Sequence, residues 1–475
     1  MAAYAAADTL VAAGADATVT ILEKMPRPGR KIMITGKGRC NFSNIKDWND
    51  FSVHIRSGAS FVKPSFFNLT SQGMVEFLES YGLKTVVERG DRAFPQSHHA
   101  SDVVDTLVNA CHSRGVKIET ECEVRSVAFE KGAFVLEAAD GRKYSCRRLI
   151  IATGGLSYPS SGSSGDGYAW ASALGHSIKQ CLPSLTALVP KNYKSATEII
   201  SSGMKGHIDR SSPLSEIGKA LCGIQLKNVG LSLSIDGKAV DSVFGDVDFT
   251  DGGIEGPAGF QLSRKAVKAI FNGSKASLCL DLKSGVPAEE LSQRVKELWD
   301  EVCKDPRSQH IREKEKCRIL LGKLMPWDLI PGFTLCNPDI LKTERLPRRG
   351  VKTTVRISAI AKALKEWNFE LAGYVGYERA VVTAGGVSTD QVLPKTMESR
   401  LVAGLYFCGE VLDIDSDTGG YNLQTAFSTG CLAGLNAARS ILGSQSLFER
   451  DNTLATLGIA VISLEGQDKV VWRCN

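Results

Sequence analysis

Apolar and polar positions recur along this chain with two periods, and the switches between them mark its elements. MAAYAAADTLVAAGAD at the start reads as a helix, because Ala is the residue least costly to place in one, and Gly14 ends it. ATVTILEK follows as a short β-branched strand, so helix and strand together make half of a βαβ unit. Beyond a basic loop the spacing predicts a helix over about 71–81 and a strand at TVVER. An amphipathic helix follows in HHASDVVDTLVNACHSRG, with Val104, Leu107, Val108 and Cys111 on one face. Alternation takes over between Val116 and Ala139. VKIET, CEVRSVAF and AFVLEA read as strands of a meander, with Asp140-Gly141 as a hairpin turn. RRLIIATGG is apolar throughout and ends in glycines, the pattern of a strand buried on both faces of a parallel sheet.

Residues 191–217 lose this rhythm and read as an exposed polar insertion. GIQLKNVGLSLSIDGKAV and VFGDVDFT are β-rich, and 287–366 is mostly helical, with breakers in MPWDLIPGF. AVVTAGGV and GLYFCGEVLD then return to short apolar strands that end in glycine. The pattern predicts one α/β domain split by an insertion of roughly 180 residues, with an unpatterned tail after 443.

Composition narrows the class. The 475 residues are 43% hydrophobic and 23% charged, and a net charge of +5 is too mild for a dedicated nucleic-acid binder. Thirteen cysteines contain no C-x-x-C, and the closest two, Cys111 and Cys122, are eleven apart. With no signal peptide in view, reduced thiols and a cytoplasmic location are expected. No apolar run approaches the ~20 residues of a membrane span. The seven histidines form no H-x-x-x-H or H-x-E pattern, so no metal site is expected.

Candidate chemistry gathers at the strand ends. Glu23 closes the first strand, where dinucleotide-binding βαβ units place an acid on the ribose hydroxyls. No further acid follows until Asp47. Lys24, Arg27, Arg30, Lys31, Lys37, Arg39 and Lys46 lie between, interspersed with Gly29, Gly36 and Gly38. Such a loop suits a diphosphate through charge-assisted hydrogen bonds and close backbone approach. Alone it reads equally well as a solvated surface. Gly154-Gly155 permit close passage of a cofactor, and Asp166-Gly167 can open the next helix. Glu410 and Asp413, after GLYFCG, can accept hydrogen bonds from a polyol such as flavin ribityl. Gly419-Gly420 feed a helix whose free N–H groups and positive dipole end suit an anionic ligand. Close packing explains that helix's small residues but not Asn422. His98 and His99 read as surface histidines, and Cys40 lacks a resolving partner.

The segments GRKIMITGKGRCNFSN, RAFPQS, IIATGG, FTDGGIEGPAGFQLSR, AVVTAGGV, PKTMESR and GLYFCGEVLDIDSDTGGYNLQTAFSTG, in this order, resemble the BaiN-like (YhiN-like) flavoproteins. These are FAD/NAD(P)-type oxidoreductases related to bile-acid Δ4,6-reductases, and the likeness spans roughly 1–442. It implies an α/β fold with a Rossmann-like FAD-binding domain, a parallel sheet plus β-meander, split by two inserts. The boundaries are 1–189 and 369–442 for that domain, 190–284 for a β-rich subdomain, 285–368 for a small helical one, and 443–475 for an unassigned tail. It carries FAD contacts onto Glu23, Lys24, Arg30, Lys31, Gly38, Arg39, Cys40, Asn41, Val124, Thr153, Gly409, Glu410, Asp413, Gly420, Tyr421 and Asn422. The implied activity passes hydride from reduced flavin, charged by NAD(P)H or a similar donor, to an activated C=C or C=O of a small organic substrate. No proton donor is named, and neither nucleic acid nor membrane is an expected partner.

The chain departs from the family at its first residue. Met1 already lies in the helix that should follow the first strand and its G-x-G-x-x-G loop. The expectation is therefore an N-terminally truncated chain whose sheet lacks its central strand. A targeting segment could have been lost with it. Lys37 stands where Gly is usual, and Asp251 where the family often has His. Two rivals remain, a flavoprotein acting on RNA and a flavin-free binding protein.

Overall fold

The first helix is built from the smallest side chains the chain has. In α1 (Ala2–Ala12), Ala2, Ala3, Ala6, Ala7 and Leu10 are buried. They pack on the long helix α2 (Tyr421–Phe448). A Cβ placed on Gly434 would lie 2.0 Å from the Ala2 carbonyl oxygen, so the two helix backbones touch. The small residues of α2 are thus accounted for by helix–helix packing.

The computed structural model describes residues 1–195, 204–346, 350–448 and 459–461. The chain divides into two units, Met1–Leu182 with Val381–Asn475, and Pro183–Ala380. The core of the first is a five-stranded sheet of β1 (Val19–Leu22), β2 (Lys117–Glu119), β3 (Leu149–Ile151), β4 (Leu405–Phe407) and β5 (Ile459–Val461). Their order is β4–β3–β5–β1–β2, and every neighbouring pair is parallel. Ile150 and Ile151 are fully buried, as a strand covered on both faces requires.

Two expectations are corrected here. VKIET is not a meander strand. Ile118 pairs with Ile21 at the edge of the parallel sheet, and the meander is Val124–Glu130, Ala133–Ala138 and Lys143–Cys146. The central lane of the sheet is also not vacant. β5, from the tail left unassigned by sequence, lies between β1 and β3, with Val19 opposite Ile459 and Ala460 opposite Leu149. An open lane would leave the backbone N–H and C=O groups of two buried strands unpaired, and β5 answers them. Residues 462–475, on which any glycine loop after β5 would fall, lie outside the described residues.

The second unit has a seven-stranded sheet carrying the helix Gly256–Phe271. Its strand Trp367–Val375 pairs antiparallel with Ala276–Asp281 and with Leu188–Pro190. The boundaries drawn at 190 and 369 therefore move to 183 and 380. The physical reason is the aromatic core of this sheet. Trp367 is fully buried against Phe249, Phe333 and Phe369, with ring centroids 5.0–5.9 Å apart. The stretch 191–217 is not wholly exposed either. Tyr193, Lys194, His207 and Ile208 are buried, while 196–203 lie outside the described residues. Asp251 pairs with Arg379 at 2.7 Å and Arg210 at 3.4 Å. No described helix is long and apolar enough to cross a membrane.

Candidate functional site

In a parallel sheet all strands end on one edge, and loops from that edge form the ligand crevice. Glu23 follows β1 there. Its Oε1 accepts the Met25 backbone N–H at 2.9 Å. Burial pushes its carboxyl above the usual range, opposed by that hydrogen bond and by Lys24 and Arg30. The loop then runs through the short helix Arg30–Ile34 into a tight turn. Gly36 (φ +58°), Lys37 (φ +58°), Gly38 (φ +85°) and Cys40 (φ +56°) all take left-handed conformations. Nothing lies within 4 Å of where a Gly38 Cβ would stand, so its backbone is open to a ligand. The position where the family usually has Gly is left-handed here too, and Lys37 adopts it against the steric preference of an L side chain.

This loop reaches each of the other three motifs. Lys24 Nζ pairs with Asp166 Oδ2 at 2.7 Å, at the start of the helix after IIATGG. Lys31 Nζ pairs with Glu410 Oε2, while Glu410 Oε1 accepts the Thr383 N–H at 2.8 Å. A Cβ on Gly420 would fall 2.9 Å from Asn41 Oδ1 and 2.3 Å from the Ser43 carbonyl oxygen. Side chains up to 379 residues apart in sequence thus meet at one place. Arg39, expected to face a diphosphate or ribityl chain, is engaged by the protein instead. It pairs with Glu88, contacts His98 Nδ1 at 2.9 Å and lies over the Phe94 ring at 4.5 Å. Among the loop residues singled out by sequence, Arg30 and Lys37 are exposed cations that make no side-chain hydrogen bond or ion pair among the described residues.

Around the start of α2, Gly419 (φ +120°) and Gly420 (φ +97°) turn the chain into the helix. Asn422 is a staple for the loop before it. Its Nδ2 donates to the Ser416 and Asp417 carbonyls, and its Oδ1 accepts the Ser416 N–H, at 2.9–3.1 Å. Tyr421 is buried and stacks on His54, with centroids 4.3 Å apart and planes at 20°. Burial first, then the Asp417 carboxylate, drives its phenol pKa upward. His54, Arg56 and Asp417 were not singled out from the sequence. A lone His in SVHIRSG carries no spacing signal, and Asp417 lies 363 residues away.

The remaining sequence candidates are dispersed around this edge. Cys40 is fully buried, and desolvation pushes its thiol up to about 12, so it is no thiolate. Val124 opens the first meander strand. Thr153 Oγ1 is buried with no hydrogen-bond partner among the described residues, and a Gly167 Cβ would lie 2.2 Å from it. The Gly409 N–H is held by Thr429 Oγ1 at 3.0 Å. Asp413 accepts from Ser57 Oγ through its carbonyl at 3.2 Å. FAD suits this set. There is a half-buried carboxyl at a strand end, an open glycine backbone at Gly38, and a buried unpartnered amide oxygen, Asn41 Oδ1, beside Gly420.

The profile described as HI0933-like protein Rossmann domain matches residues 1–436. A 3-dehydro-bile acid delta(4,6)-reductase from Clostridium scindens is 32% identical over 423 residues, covering 89% of this chain and 93% of that protein. Ribosomal RNA dihydrouridine synthases from Escherichia coli and Haemophilus influenzae are each 28% identical, with the same coverage.

Proposed function

The chain belongs to the family of HI0933-like Rossmann-domain proteins and is an oxidoreductase, and from that premise we propose that it is an FAD-dependent reductase of C=C bonds conjugated to a carbonyl. The observation that carries this reading is the convergence of the basic loop on the other three motifs, through Lys24–Asp166, Lys31–Glu410 and Asn41–Gly420. FAD, when bound, supplies the hydride chemistry, and the protein supplies position and electrostatics. Glu23 would accept the ribose hydroxyls. The backbone around Gly36 and Gly38 would approach the diphosphate, and Glu410 and Asp413 the ribityl chain. The N–H groups at the start of α2 favour negative charge, which suits a reduced flavin ring. The high thiol pKa of Cys40 removes it from any thiolate relay.

The relatives' names describe one chemistry on two substrates. A delta(4,6)-reductase saturates C=C bonds of a 3-oxo steroid, and a dihydrouridine synthase saturates the uracil C=C. A small unsaturated carbonyl compound is the first substrate class, with a reduced nicotinamide as donor. RNA uracil is the second, favoured by the two synthase relatives.

Flavin uptake by the apoprotein, anaerobic bleaching by NADPH or NADH, and reoxidation by a 3-oxo-4-ene steroid or by a uridine-rich RNA test both. Uptake, bleaching and reoxidation by the steroid are expected. Failure to take up FAD, or reduced protein that no unsaturated carbonyl reoxidises, would sink the proposal.

A further inference from the structure

Reducing such a C=C bond takes a hydride and a proton, and none of the residues assigned so far has been given the delivery of that proton. The His54 ring stands against the start of α2, stacked on Tyr421. His54, Ile55 and Arg56 lie along Asp415–Asp417. Ile55 bridges Ser416, the Asp417 N–H donates to the His54 carbonyl at 2.9 Å, and the Arg56 N–H donates to the Asp415 carbonyl at 2.8 Å. His54 ends a turn and Arg56 follows the bridging Ile55, and both side chains reach Asp417. The Asp417 side chain is 9% exposed. Arg56 Nε donates to its Oδ1 at 2.6 Å and Arg56 Nη2 to its Oδ2, and His54 Nδ1 lies 3.0 Å from that same Oδ2. A carboxylate oxygen accepts, so Nδ1 carries the proton of that contact and Nε2 is left as the working nitrogen. Tyr421, stacked on the ring, fixes its plane next to Gly419-Gly420. The His54 side chain keeps 30% of its surface exposed, a route for proton exchange with water. Asp50 and Asp91 are the other charges acting on Tyr421.

We propose that His54 is the proton donor of the reaction and that Asp417 is its positioning residue, which rests on the reductase reading above. FAD, when bound, would supply the hydride for a C–H bond at the carbon β to the carbonyl. The π electrons move to the α carbon and the carbonyl oxygen. The Nε2–H of protonated His54 gives its proton to the α carbon, and the neutral ring recovers one from water. The reductant is a reduced nicotinamide, acting through the flavin.

The test uses FAD-loaded protein and separates the two half-reactions. His54→Asn keeps a donor in the Nδ1 position toward Asp417 and removes Nε2. Reduction by NADPH should stay within about twofold of wild type. Reoxidation by a 3-oxo-4-ene steroid should slow by ~10²–10⁴, the usual contribution of a positioned acid. A second measurement needs no turnover. In flavin-free, ¹⁵N-histidine-labelled protein the neutral His54 ring should be the Nδ1–H tautomer, and Asp417→Asn should shift it toward Nε2–H. Wild-type reoxidation rates in His54→Asn, or an Nε2–H tautomer in the wild type, would overturn the assignment. If wild-type protein binds FAD yet neither the steroid nor uridine-rich RNA reoxidises it, the reductase reading fails and the proton donor falls with it.

Discussion

Replacing Glu23 with Gln should weaken FAD binding while leaving the apoprotein at least as stable as before. Burial raises the Glu23 carboxyl above its ordinary pKa, against the pull of the Met25 N–H, Lys24 and Arg30. A carboxyl whose pKa is raised by folding adds stability below its unfolded pKa and loses that contribution as pH climbs through the folded value. At neutral pH the ionised group is therefore a net cost, and a neutral amide of the same shape removes it. The Tm of the apoprotein should hold or rise. With FAD the sign reverses. Hydrogen bonds from ribose hydroxyls to a carboxylate are charge-assisted, worth about 1.5–3 kcal/mol each. Losing one weakens binding roughly 10- to 100-fold, at 1.4 kcal/mol per tenfold. Wild-type affinity should also fall as pH drops through the raised carboxyl pKa, and the Glu23→Gln variant should lack that dependence. Calorimetric titration of apoprotein with FAD across the acidic and neutral range measures the affinities, and a thermal melt of each apoprotein measures the Tm. An unchanged Kd would assign Glu23 to the Met25 turn alone, and a lower apoprotein Tm would contradict the sign of the burial argument.

Lys37→Gly should stabilise the protein by ~1 kcal/mol in urea unfolding, because glycine takes the left-handed φ of +58° without the Cβ clash that costs an L side chain about 1–2 kcal/mol; a loss of stability would show that the lysine side chain holds the turn. Asn422→Ala strips three hydrogen bonds from Ser416 and Asp417 and should cost ~1–3 kcal/mol, with reduced flavin retention in gel filtration. Ala460→Pro places a residue without an N–H in the central lane of the parallel sheet and should cost the first unit ~3 kcal/mol or more, read as a lower urea midpoint; an unchanged midpoint would mean that β5 contributes nothing to the sheet's stability.

What the sequence made legible is what depends on neighbours in the chain. Glycines that end apolar strands and an acid at a strand end are local signals, and Glu23, Gly154-Gly155, Glu410 and Gly419-Gly420 could be found from them. The partners were hidden because they lie far off. Nothing near Trp367 announces that its aromatic cluster with Phe249 and Phe333 will draw the strand Trp367–Val375 into the inserted unit. The same distance hides the link from His54 to Asp417. Asn422 could be read only as unexplained, because the backbone groups it satisfies follow from the shape of the loop rather than from its composition.

The basic loop shows the consequence for function. Counting cations along 24–46 suggests a strongly positive cradle. Lys24, Lys31 and Arg39 each hold a carboxylate, from Asp166, Glu410 and Glu88 respectively. Their charges are largely spent in orienting the loop against the other motifs. What remains for an anion is the open backbone at Gly38, with Arg30 and Lys37 exposed nearby in sequence. A diphosphate held this way would depend on the left-handed turn at Gly36–Gly38 more than on any one cation. Charge-removing substitutions at Lys24 or Lys31 would then act first on the fit of the loop, and only through it on the ligand.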